Sequence, residues 1–179
     1  MSEPLKLRGR DARDLETISA CVQDALVPIA EIKYLPRERR FALMLNRFRW
    51  EAAQAAPAAT TPVPRSEGEA GDAGFADREA ALFERSHAVL TFDRVRGVKR
   101  RGLDQALRSG MLSLLGLFAQ GRYIVVAFAG GGAIRLEVDQ IACHLQDIGE
   151  PWPTVWQPRH AGPQSAGEGQ GHEPTDGKA

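Results

Sequence analysis

Alternation of apolar and polar positions dominates the chain. Across residues 40–50, Phe41, Leu43 and Leu45 fall on one side of an extended backbone, and Ala42, Met44 and Asn46 on the other, because successive strand side chains point to opposite faces. Similar β-branched and aromatic runs recur at 29–35, 87–93, 95–101, 111–119, 123–129 and 133–138, each bounded by Gly, Pro or Asp. Residues 87–101 read as one long or bent strand, 5–7 as a short first strand, and 139–149 as an outward continuation. One segment breaks the period of two. Leu15, Ile18, Val22 and Leu26 recur at steps of three or four, the stripe of an amphipathic helix. Asp11 suits its N-cap, Asp14 its first turn, and Pro28 its stop. The pattern predicts an α+β, mostly β protein: one N-terminal helix packed on a twisted antiparallel sheet or partly closed barrel of about six or seven strands.

The strands also repeat. Residues 29–45 align without gaps on 111–127, and 88–98 on 133–143, with Asp93 near Asp139 and Val95 near Ile141. The ordered chain therefore reads as a three-strand meander written twice. Two stretches have no period, at about 52–80 and 161–179. They are rich in Ala, Pro, Gly and small polar residues and cannot offset the entropy of ordering. A single domain over 1–160, interrupted by a disordered insert and followed by a disordered tail, is the expectation.

Charge narrows the partners. Lys plus Arg and Asp plus Glu both number 23, so the net charge is zero. Nucleic acid and acidic membranes are not expected as bulk electrostatic partners, and any anion site must be a local patch. Cys21 and Cys143 are too few for a disulfide framework and read as free thiols of a cytoplasmic protein. No apolar stretch approaches the ~20 residues of a membrane helix.

The stretches LPRERRFALMLNRFRWE (35–51), LTFDRV (90–95) and VAFAGGGAIRLEV (126–138) resemble an uncharacterised family, a domain of unknown function from alphaproteobacterial genomes. The resemblance spans about residues 5–158. It implies a small cytosolic single-domain protein and brings no activity, cofactor or catalytic residue.

Two clusters are the candidate sites. In RRFALMLNRFRWE (39–51), Arg47 and Arg49 continue the apolar face, while Phe48 and Trp50 continue the other. Arg47, Arg49, Trp50 and Asp93 could clamp a carboxylate or phosphate, since arginine forks match both groups. The structural alternative pairs both arginines with carboxylates such as Asp93 or Glu51 and lets the aromatics close the core edge. The second cluster is Arg94, Arg96, Lys99, Arg100 and Arg101. It reads as a patch for RNA or an acidic partner, or as an edge strand blunted by charge.

Other motifs carry less. Gly130 to Gly132 precede a strand rather than a helix, which fits a hairpin turn and not a phosphate loop. Cys143 and His144 are adjacent and face opposite ways on a strand, without metal-ligand spacing. PWPTVWQP (151–158) reads as a strap over the sheet or an aromatic docking strip. No nucleophile elbow or catalytic triad pattern is present, and no cofactor is implied. The leading reading is a cytosolic, non-enzymatic binding or interaction module with a protein partner or a second copy of itself. A domain for a small anion at Arg47 and Arg49, and an RNA-binding accessory using the basic cluster, are the alternatives.

Overall fold

Asp11 caps the first helix as its position suggests: its side chain accepts a hydrogen bond of 2.8 Å from the backbone N–H of Asp14. The structure is a computed structural model and describes residues 4–55, 83–103 and 109–155. A strand β1 (Lys6–Gly9) leads into α1 (Ala12–Val22), and β2 (Leu26–Pro28), β3 (Ile32–Leu35) and β4 (Arg40–Phe48) follow. A short helix α2 (Trp50–Ala55) ends the first described stretch. Then come β5 (Phe83–Phe92), β6 (Val95–Arg101), β7 (Met111–Gln120), β8 (Tyr123–Phe128), β9 (Ala133–Val138) and β10 (Cys143–Thr154).

Among the described residues there are two helices and ten strands, where the sequence pattern predicts one helix and six or seven strands. Helix α1 stops at Val22, one turn early, because Asp24 takes a left-handed φ of 59° and its N–H donates to the Leu114 carbonyl at 2.8 Å. Leu26, expected on the helix stripe, lies instead in β2 between β4 and β7. Residues 52–55, expected inside the insert, continue α2. The remainder of the insert and the tail 161–179 lie outside the described residues.

All strand pairs are antiparallel, in the order β1-β10-β5-β4-β2-β7-β8-β9-β6, with β3 also pairing β4. The sheet has two open ends, β1 and β6, and is not closed into a barrel. It curls round a core of Phe41, Leu43, Leu45, Leu90, Phe92, Val126, Phe128 and Leu136, and α1 adds Leu15, Ile18 and Val22. Burial of each large side chain contributes about 1.5–3 kcal/mol.

The chain makes two meanders, β3-β4-β5 and β7-β8-β9. Each hands its next strand to the other: β6, after β5, pairs β9, and β10, after β9, pairs β5. Residues 87–101 are therefore two strands, broken at Asp93 and Arg94, where Arg94 takes a φ of 61°. The two crossings are tied together, Asp93 N–H to the Ala142 carbonyl at 2.8 Å and Asp139 N–H to the Arg94 carbonyl at 3.3 Å. The gapless alignment is one residue out of step with the faces. It sets core Phe41 against outward Tyr123, whereas Phe41 and Ile124 both face the core. A one-residue shift inverts every side chain of a strand. The looser matches, Asp93 with Asp139 and Val95 with Ile141, carry the other register.

Candidate functional site: a buried arginine network and a cationic cavity

Arg47 follows Leu45 on the core face of β4, and its side chain is wholly buried. Its guanidinium forks onto Asp147 of β10, Nε to Oδ1 at 2.6 Å and Nη2 to Oδ2 at 2.7 Å. A second fork reaches Glu51 of α2 at 2.7 and 3.0 Å. Burial works against the charge, but the two carboxylates outweigh it and raise the pKa of Arg47 above the usual arginine range. Glu51 shows the converse: burial works to raise its pKa, and Arg47 holds it below the usual glutamate range. Arg49, 3% exposed, pairs with Glu84 at 2.6 Å and lies 3.5 Å from Glu51. Phe48 packs against Trp50 and Phe83 at ring separations of 4.5 and 5.5 Å, and the Trp50 indole N–H donates to the Gln23 carbonyl at 3.4 Å.

Asp93 does not join this group. It sits at the far end of β4, bonded to Arg40 Nε at 2.7 Å, with His144 Nε2 3.5 Å away. Arg40 and Arg47 are separated by seven residues, about 23 Å of strand. A cavity of about 320 Å³ opens beside Asp93, with Arg40, Lys6, Arg8 and His144 also in its wall.

The basic cluster lies on β6, the open end of the sheet, as a charged edge strand should. Arg94 occupies the crossing, and Arg96 bonds Asp139, which Arg39 also holds. That bond to Arg39 is the main cause of the lowered pKa of Asp139. Lys99, Arg100 and Arg101 form one wall of a cavity of about 400 Å³, opposite Arg135 of β9 and over Val125 and Ala133. Lys99 stands directly across from Arg135 in the strand register. Like charges so placed repel. No carboxylate lines this cavity among the described residues. A smaller cavity of about 140 Å³ adjoins it, sharing Lys99 and Arg135 and lined also by Gly97, Tyr123 and Glu137. The guanidinium carbon of Arg135 lies 4.8 Å from the Tyr123 ring centre, within cation–π range. Glu137 receives Arg122 at 2.9 Å through Oε1. Arg135 carries no signal that sequence reading would single out, because it is one arginine in an otherwise ordinary strand.

Neither thiol is poised as a nucleophile, which requires a thiolate. Burial raises the pKa of Cys21, and burial pushes Cys143 up to about 11. Gly130 and Gly131, at φ 79° and 83°, form the β8–β9 turn that the glycines suggest. Pro151 to Thr154 extend β10 along β5, with Trp152 against His87 at 4.4 Å, Val155 beyond them is exposed, and residues 156–158 lie outside the described residues. Among the described residues no three His, Cys, Asp or Glu side chains gather as a metal site requires, and no helix is long and apolar enough to cross a membrane.

No curated protein and no solved structure matches the chain. A family profile described as a protein of unknown function matches residues 5–160, which takes in both the arginine network and the cationic cavity, and the chain belongs to that family, DUF2948.

Proposed function

We propose that the protein is a non-enzymatic binding module whose ligand is a small multiply charged anion, seated on the outer face of β6, β8 and β9 among Lys99, Arg101 and Arg135. One observation carries this reading: Lys99 and Arg135 are cross-strand neighbours of like charge, beside a cavity whose described lining has no carboxylate. Such a pair costs stability unless an anion lies between them. The volume of about 400 Å³ is in the range of small-molecule sites. The Arg47 and Arg49 end suits a ligand less well. Arg47 already gives four hydrogen bonds to carboxylates, and a ligand there would have to displace a buried partner. A cytosolic setting, suggested by the two free cysteines, belongs to the same proposal.

Thermal unfolding with inorganic pyrophosphate tests the reading. At a hundredfold excess over Kd, a bound anion should stabilise the protein by about 2.7 kcal/mol, roughly 5–10 °C. Lys99→Ala should weaken that response while leaving the unliganded protein as stable as before, or more so, because the repulsion is gone. A variant that melts several degrees early and a parent indifferent to pyrophosphate would instead make the cluster a structural edge.

A further inference from the structure

The two adjoining cavities differ in chemistry, and the difference points to a ligand with two chemically distinct parts. The larger has cationic walls over an apolar floor of Val125 and Ala133. The smaller, about 140 Å³, falls below the ~300 Å³ at which sites for whole small molecules begin, and suits one part of a ligand. It offers an aromatic ring in Tyr123, a guanidinium plane in Arg135 and a carboxylate in Glu137. Aromatic rings and arginine planes are the surfaces on which nucleobases stack. Lys99 and Arg135 border both cavities, which is where the link between a base and its phosphates would pass.

We infer that the ligand is a nucleotide, with its phosphates among Lys99, Arg101 and Arg135 and its base beside Tyr123 and Glu137. This rests on the anion-binding reading above. Glu137 adds a preference. Its Oε1 is taken by Arg122, and its Oε2 faces Gly97, 3.8 Å from where a Cβ on that glycine would sit. A carboxylate oxygen accepts from an exocyclic amino group, which guanine, adenine and cytosine carry. Uracil presents carbonyl oxygens on either side of its one ring N–H, and the carboxylate repels them. Gly97 is opposite Glu137 at a register shift of β6, and its missing side chain leaves the smaller cavity open. Its φ lies outside the left-handed region, so a larger residue there fills the cavity without backbone strain.

The test is calorimetric titration of the full chain with inorganic pyrophosphate, ribose 5-phosphate, GDP, ADP, CDP and UDP. GDP, ADP and CDP should bind about tenfold tighter than pyrophosphate and than UDP, the worth of one charge-assisted hydrogen bond. Gly97→Val should bring GDP, ADP and CDP down to the level of pyrophosphate and UDP while pyrophosphate itself binds unchanged. Glu137→Gln should abolish the discrimination against UDP, and it supplies a second readout if Gly97→Val does not fold. A five-nucleotide single-stranded RNA binding tighter than the nucleoside diphosphate of the same base assigns the nucleotide to RNA, and equal affinity assigns it to the free pool. Either result upholds the inference. Nucleotides binding no better than pyrophosphate would overturn it and leave the anion site standing. No binding of pyrophosphate would overturn both.

Discussion

Arg47 has a solvated alternative in the unfolded chain and gives it up entirely on folding. Only the two forks onto Asp147 and Glu51 make its burial tolerable, since an unpaired buried charge costs several kcal/mol. Asp147→Ala should therefore destabilise the protein by about 3–5 kcal/mol in urea unfolding. The apolar double replacement Arg47→Met with Asp147→Leu should cost much less, because both charges leave together. A single and a double variant of equal stability would show that the pair is not coupled. Acid should weaken the same region. The pKa of Glu51 is lowered on folding, so its share of stability is present above the ordinary glutamate value and is lost as pH falls through the lowered one. This network is half legible in the sequence. Glu51 is four residues from Arg47 and can be named as a partner. Asp147 is 100 residues away, and nothing local marks it, because strand order has to be known before the two can be brought together.

Elements with a strong local signal are legible almost to the residue: β9 spans the predicted 133–138, and α1 begins after its Asp11 cap. The elements that differ are those whose limits depend on partners. Helix α1 ends where β7 captures the backbone of Asp24, and β5 ends where its chain leaves for the other meander. The cationic cavity belongs to this class too, because β6 supplies one wall and β9 the other. Lys99, Arg100 and Arg101 are visible as a charge run, yet their meeting with Arg135 is set by pairing across the sheet. Close approach of elements is equally invisible beforehand. At the corner between β1 and α1, a Cβ on Gly9 would stand 2.6 Å from Cys143 Sγ and 3.1 Å from Ile18 Cδ1. Gly9→Ala should cost about 1–3 kcal/mol by overpacking. Adding Cys143→Ala should recover part of that loss in the same melting experiment. Strictly additive effects would mean that the thiol is not what Gly9 makes room for.

For the whole molecule, the exchange of β6 and β10 means that neither half of the chain owns a complete sheet. Cut between Leu103 and Ser109, the first fragment would retain β5 without β10, and the second β9 without β6. Each fragment alone should lack the circular dichroism of folded β-sheet. Mixed, the two should return it and elute together as a one-to-one complex. A fragment folding by itself would show that one meander suffices. The same exchange orders events during synthesis. Strand β5 leaves the ribosome some fifty residues before the strand that covers its outer edge, a delay of about 3–10 s at usual elongation rates. Throughout that interval the nascent chain carries an apolar strand with one edge unpaired, a template for a neighbouring polysome product or a chaperone. The yield of folded protein in cells should therefore be governed by the last strand to emerge rather than by the length of the chain before it.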